Sequence, residues 1–257
     1  MKVYLLAHTP RPLQTIAMAA RLCYSKGGIK EVMAQTRDDE KNRKLIQACF
    51  EAGHESILEH ASLTFGVEGI SRACSHQLVR HRLTSISQQS QRYVDMNEAG
   101  DQCIYPRGIH PEADGLAYMG FMETAWHHYA AMQAIMAEYG LTGEEANQDA
   151  RYVLPNACPT NLIWTMNFRE LIHICSVRLC KRAQWEIRGV VGRMVDLLFA
   201  PGASDDLQFL GGFLTPKCAS LGYCPEGEKS CGLFPKKAEV LGAWQTYQGV
   251  SQNTGLK

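Results

Sequence analysis

The sequence predicts an α+β chain, with helices packed around a twisted sheet, and three observations carry that reading. Short blocks of strand character, Met1-Lys2-Val3-Tyr4-Leu5-Leu6-Ala7-His8 and Leu63-Thr64-Phe65-Gly66-Val67, stand apart from longer blocks of helical period. The strongest helical signal runs from Thr165 to Ala200. There Phe168, Leu171, Ile172, Cys175 and Leu179 form one stripe, and Ile187, Val190, Val191, Met194, Val195 and Leu198 continue it past a break expected near Lys181. At 257 residues the chain is long enough for one large domain or two small ones, and no linker forces a second.

In chain order, the first strand is followed by Pro12, which opens a helix with Ile16, Ala19, Ala20 and Cys23 on its apolar face; Gly27-Gly28 ends it. Arg37 to Arg43 is a mixed charge run that reads as a solvated turn or a helix start. Leu45, Ile46, Cys49 and Phe50 make the next helical face, with Gly53 placed to stop it. After the strand at Leu63 to Val67, a helix is expected from Ile70 to about Arg82, with Arg72, His76 and Arg80 stepping along one side. Pro106, Gly108 and Pro111 mark a loop, Leu116 to Tyr139 a long core helix, and Glu144 to Leu154 another helix ended by Pro155. Of the polar residues on the last long segment, Arg169, Arg182, Gln184, Glu186 and Arg188 are expected to be solvated or paired. Arg178, beside the apolar stripe, is the one expected to turn toward a site.

Charge narrows the function. Lys and Arg total 26 and so do Asp and Glu, which argues against bulk binding to nucleic acid or an anionic membrane. No apolar run reaches the roughly 18 residues of a membrane helix, and the N-terminal block is too short for a signal peptide, so a soluble, cytoplasmic protein is expected. His54 and His60 are six apart, which puts them on different helix faces and removes a zinc-protease reading.

The organising stretch is Arg80 to Tyr93, which holds three Arg, one His, three Ser and three Gln but only three apolar side chains. Such a segment is poor core and a good anion-binding surface, because guanidinium forks match phosphate while Ser and Gln can read a base or ribose. A phosphorylated, nucleotide-like ligand is expected. The rival is a non-catalytic nucleotide or nucleic-acid binding module using the same arginines, which the balanced charge disfavours.

Arg80-His81-Arg82, seven residues, Ser90, then Arg92-Tyr93 resembles the signature of the flavin-dependent thymidylate synthases. Gly53-His54-Glu55-Ser56 with Glu59-His60, Ala150 to Pro155, Trp164 to Arg169, and Arg178 followed by Ala183 to Arg188 resemble further family blocks, in family order from about His8 to Leu198. The resemblance implies the family's fold, a mainly antiparallel twisted sheet with helices packed around it, over residues 1–200. Residues 201–257 are then a loop-rich, Cys-containing C-terminal extension packed on the same domain. It also implies reductive methylation of dUMP to dTMP, with methylenetetrahydrofolate as carbon donor and FAD, reduced by NADPH, as hydride source. The family does not hold FAD in a Rossmann fold, and this chain has no G-x-G-x-x-G.

By the same resemblance Ser56, Arg80, His81, Arg82, Gln88, Asn167, Phe168, Arg169 and His173 contact FAD. Gln77, Leu78, Val79 and Arg80, then Gln88, Gln89, Ser90, Gln91 and Arg92, with Arg151 and Arg178, surround dUMP. Arg178 is the expected catalytic residue, since a guanidinium at the pyrimidine favours the anionic, nucleophilic ring without a covalent bond to the enzyme. Ser90 is expected to bind rather than attack, because a serine nucleophile needs a base and the segment offers only His81. Cys158-Pro159 and Cys224-Pro225 lack the surrounding motif of the thymidylate synthases that use a cysteine nucleophile. The chain departs from many relatives at Ser87 and Gln88, where they carry Asn and Glu, and from some at His173, where they carry Asn. Gln88 keeps hydrogen-bonding capacity but loses a negative charge. A homotetramer with sites where subunits meet is also implied.

Of the ten cysteines, Cys23, Cys49, Cys74 and Cys175 sit at helical spacing among apolar residues and read as small buried hydrophobes. Cys218-x5-Cys224-x6-Cys231, among Gly222, Pro225, Gly227 and Gly232, is compatible either with a small zinc-held loop or with free or redox-active thiols. A fourth ligand would come from Cys180, His173 or Cys158. No metal site is assigned on this basis.

Overall fold

The structure, a computed structural model, describes residues 1–240, so residues 241–257 of the expected extension lie outside the described residues. The first elements are β1 (Lys2–His8), α1 (Pro12–Leu22), α2 (Ile29–Gln35), α3 (Asp39–Glu51), β2 (Ser62–Ser71), α4 (Arg72–Leu78) and β3 (Thr84–Gln88). They are followed by α5 (Pro111–Glu138), α6 (Glu144–Ala150), β4 (Pro159–Asn167), α7 (Phe168–Arg178), α8 (Trp185–Leu198), α9 (Asp205–Gly211) and α10 (Lys217–Leu221). Short 3₁₀ turns cover Glu55–His60 and Arg151–Val153. Contacts divide the chain into two compact units, Met1–Pro10 with Ala61–Asn167, and Arg11–His60 with the chain from Phe168 onward.

The first unit is built on an antiparallel sheet of order β1-β2-β4-β3. In β2 the side chains of Leu63, Phe65, Val67 and Ile70 are buried, and in β4 those of Thr160, Leu162, Trp164 and Met166. That period of two corrects the helical onset expected at Thr165: Thr165-Met166-Asn167 is the end of a strand, and the helix starts at the next residue. A second correction concerns Ile70 to Arg82. There β2 runs on to Ser71, whose hydroxyl caps α4 by accepting from Cys74 N at 3.0 Å, and the helix ends at Leu78. In the same unit α5 and α6 close on a small core of Met96, Cys103, Trp126, Tyr129, Ala150 and Cys158.

The second unit is helical. Leu13, Ile16, Ala17 and Ala20 of α1 are buried, as are Phe168, Leu171, Ile174 and Cys175 of α7 and Ile187, Val190, Val191, Met194 and Leu198 of α8. The charge run at Arg37 to Arg43 is a helix start, where Asp38 caps α3 by accepting from Lys41 N at 3.1 Å. Gly53 follows α3 at φ 77°, as a helix stop requires. Cys74 and Cys175 are buried as expected, but Cys23 is exposed and Cys49 only half-buried, because α1 ends at Leu22 and leaves Cys23 outside its packed face. No helix among the described residues is long and apolar enough to cross a membrane.

Candidate active site

The Arg80 to Tyr93 stretch is a turn, an edge strand and a second turn. The turn after α4 is held by backbone: His81 N donates to Leu78 O at 3.1 Å, and Thr84 Oγ1 donates to His81 O at 2.8 Å. His81 is buried, its ring 6.2 Å from that of Trp164, while Arg80 and Arg82 on either side are exposed. Neither arginine has a carboxylate partner among the described residues. Thr84 to Gln88 then pairs with β4, an assignment the polar sequence had hidden.

The segment after β3 is anchored from several sides. Gln88 Nε2 donates to Thr160 Oγ1 at 3.0 Å, Gln89 N to Asn161 O at 2.9 Å, and buried Gln91 reaches Cys158 Sγ at 3.2 Å. Arg72 Nη1 donates to Gln89 O and to Thr160 Oγ1, each at 3.4 Å. Burial lowers the Arg72 pKa from its ordinary value; Cys158 opposes this, and the nearby positive charge of Arg151 lowers it further. Two guanidiniums that repel one another in a half-buried setting favour an anion beside them. Arg72 was missing from the expected site; its only sequence signal was its place on the Arg72-His76-Arg80 face.

Ser90 Oγ accepts from Arg92 N at 3.2 Å and has no imidazole or carboxylate partner among the described residues. Arg92 pairs with exposed Glu144, stacks over Tyr93 at 5.4 Å, and has its main-chain carbonyl held by Asn147 Nδ2 at 3.2 Å. Its Nε is a buried donor with no acceptor. Arg151 is half-buried and donates through Nε to Gln148 O at 3.1 Å. Gln77 is half-buried and Val79 exposed, but Leu78 is wholly buried in the core, so it can meet a ligand only through its backbone.

The remaining expected residues belong to the second unit, except Asn167 at the end of β4. Ser56 and His173 are exposed and Arg178, on the last turn of α7, is half-buried. Arg169 sits between two carboxylates, 2.6 Å from Glu59 and 3.6 Å from Glu55, which raise its pKa, the Glu59 hydrogen bond most. That gives both carboxylates of the Glu55 to His60 segment a partner. Phe168 is fully buried, so its ring packs the core and only its backbone is left for a cofactor. Glu170, which the sequence did not single out, is a buried carboxyl whose pKa burial raises while His173 lowers it.

Comparison with known proteins identifies the family. The family described as "Thymidylate synthase complementing protein" matches residues 4–200. A flavin-dependent thymidylate synthase of Nitratidesulfovibrio vulgaris is 42% identical over 93% of this chain and 97% of its own length. One from Geobacter sulfurreducens is 43% identical over 93% of this chain and 96% of its own length. The flavin-dependent thymidylate synthase of Helicobacter pylori, solved with FAD and dUMP, shares the fold at a TM-score of 0.59 and 22% identity, covering 84% of this chain and all of that one. With a family match over most of its length and relatives this similar, the chain belongs to the flavin-dependent thymidylate synthases.

Proposed function

We infer that this chain converts dUMP to dTMP by reductive methylation, with FAD as its flavin. Membership of the flavin-dependent thymidylate synthases carries that reading; it leaves the non-catalytic binding module without support. The residues present fit a flavin dinucleotide, because Arg80 and Arg82 are exposed guanidiniums with no carboxylate to neutralise them, a donor pair suited to a pyrophosphate. When bound, the flavin supplies the hydride chemistry that no side chain can.

The chain's own residues bind, orient and polarise. Arg80 and Arg82 hold the cofactor phosphates, and buried His81 keeps the turn between them in shape. Ser56, Gln88, Asn167, Arg169, His173 and the Phe168 backbone complete the cofactor contacts. Ser90, Arg92 and Arg151 take the dUMP phosphate, with Gln77, Leu78, Val79, Gln89 and Gln91 as the surrounding wall. Arg178 stabilises the anionic uracil ring. NADPH is the reductant and methylenetetrahydrofolate the carbon donor. The assembly is a cytoplasmic homotetramer in which neighbours complete the sites; β3 is an edge strand, and Leu83, Tyr93 and Tyr152 close to it in sequence or in the substrate blocks are 74%, 67% and 84% exposed. Residues 1–200 form the catalytic part and the later residues an appendage to it.

The direct test is NADPH oxidation with and without dUMP and methylenetetrahydrofolate, on protein whose flavin absorbance has been recorded. Colourless protein, or oxidation with no dTMP formed, removes the assignment. Two variants probe the substrate half. Ser90→Ala is expected to weaken dUMP binding about tenfold yet retain turnover, the loss of roughly one hydrogen bond. A dead variant with normal dUMP affinity would revive a serine nucleophile. Arg72→Met removes the two hydrogen bonds to Gln89 and Thr160 and is expected to weaken dUMP binding by about tenfold to a hundredfold. Titration calorimetry showing unchanged dUMP affinity would show that Arg72 does not position the loop.

A further inference from the structure

The cysteines of the C-terminal part have no role in the proposed reaction, yet four of them line one cavity. Cys180, Cys218, Cys224 and Cys231 all line a single cavity of about 610 Å³ in the second unit, and Arg178 lies on its wall. They arrive from separate pieces of chain: Cys180 two residues beyond α7, Cys218 within α10, and the other two in the turns that follow. All four are free thiols.

We propose that Cys180, Cys218, Cys224 and Cys231 together bind a structural Zn²⁺ ion that staples the chain after α9 to the end of α7. Four sulfur ligands and no open position form a structural zinc set rather than a catalytic one. The fourth ligand is Cys180, which lines the same cavity as the other three, whereas neither Cys158 nor His173 does. Resting on the proposed function, the metal also holds Arg178 in place by fixing the end of α7.

Three further observations support the site. From residue 215 to 240, Cys224 is the only buried residue, and α10 is just five residues long. A stretch with so little apolar burial needs a covalent or metal staple to hold one shape. The backbone is nevertheless well defined around the thiols. Cys224 N donates to Pro235 O at 2.7 Å, its strand-like partner is Lys236, and Gly232 directly after Cys231 takes φ 82° to turn the chain back. Cations also line the cavity: Arg182 is paired with Glu226 there, and Lys181 and Lys217 beside Arg178 offset the double negative charge of a zinc tetrathiolate.

No three of the four sulfurs lie within 4.8 Å of one another. Zn–S bonds of about 2.3 Å set sulfurs about 3.8 Å apart in a tetrahedron, so binding the ion brings them closer together than they stand. Each thiol releases its proton to solvent as its sulfur pair is donated to the metal, and no oxidant or reductant is involved.

The test is metal analysis of the full chain, purified under reducing conditions without chelator. About one zinc per chain is expected, falling to under about a tenth in Cys218→Ser and Cys231→Ser and unchanged in Cys23→Ser. Cys231 is exposed, so its serine variant should fold; Co²⁺ added to the zinc-depleted parent chain should in any case give the intense visible bands of tetrahedral thiolate cobalt. Zinc absent from the parent chain, or retained in Cys231→Ser, overturns the proposal. A disulfide among these cysteines, seen as a two-proton mass deficit without zinc, overturns it equally. If the metal holds Arg178 in place, chelation lowers dUMP turnover more than tenfold while FAD absorbance persists, and undiminished turnover removes that link. A zinc-loaded chain that makes no dTMP refutes the thymidylate synthase reading and leaves the metal site standing.

Discussion

Arg178→Ala is expected to lower dTMP formation by at least about a hundredfold while leaving FAD bound, because in the proposed mechanism the lost guanidinium is what stabilises charge on the uracil ring. The variant is interpretable because the helix beneath is held by other residues. Leu171, Ile174 and Cys175 of α7 are fully buried, and burial pushes the Cys175 thiol up to about 12, so it stays a neutral packing group across the working pH range. As a cation in the last turn of α7, Arg178 gains up to about 1 kcal/mol from the helix dipole. A thermal melt of the variant separates loss of the fold from loss of chemistry. Arg178→Lys keeps the charge but not the planar two-donor fork, and should fall between the parent and the alanine variant. Single-turnover formation of dTMP, with flavin absorbance and a thermal melt on the same samples, checks all of this. Full activity in the alanine variant would remove Arg178 from the chemistry.

What could be read from the sequence divides along the range of the interactions. The first strand, the Pro12 helix and the long helix before Tyr139 follow from local pattern and are present. The polar strand Thr84 to Gln88 carries no apolar alternation, since it is an edge strand whose side chains are half-buried or exposed, and its order comes from pairing with β4, distant in sequence. The helical onset was placed too early because Thr165 to Asn167 runs into α7 with no intervening loop, so no Gly or Pro marks the change of period. The site shows the same split. Arg80, Arg82 and Ser90 are visible as a local concentration of donors. Arg72 is not, because its acceptors lie 17 and 88 residues away. Nor could the Glu59 and Glu55 partners of Arg169 be paired with it by spacing, the nearer bond spanning 110 residues.

Phe168 is where family resemblance and packing make different demands on one residue. Its ring is fully buried at the first position of α7, directly after the strand that pairs Asn167 with Ser62. Phe168→Ala is therefore expected to destabilise the fold by about 3–5 kcal/mol through lost burial and the cavity left behind. Phe168→Leu keeps most of the apolar volume and should cost much less. Since only the Phe168 backbone is available to a cofactor, Phe168→Leu should bind FAD with affinity within about twofold of the parent, less than 1 kcal/mol. Urea unfolding supplies the stability change, and flavin fluorescence titration supplies the affinity. If Phe168→Leu is as stable as the parent yet loses FAD more than tenfold, the ring itself touches the flavin, and the core position of Phe168 must change when the cofactor binds. If instead stability falls in the alanine variant and FAD affinity holds in the leucine one, the Phe168 ring serves the packing of α7, the helix that carries Arg169, His173 and Arg178.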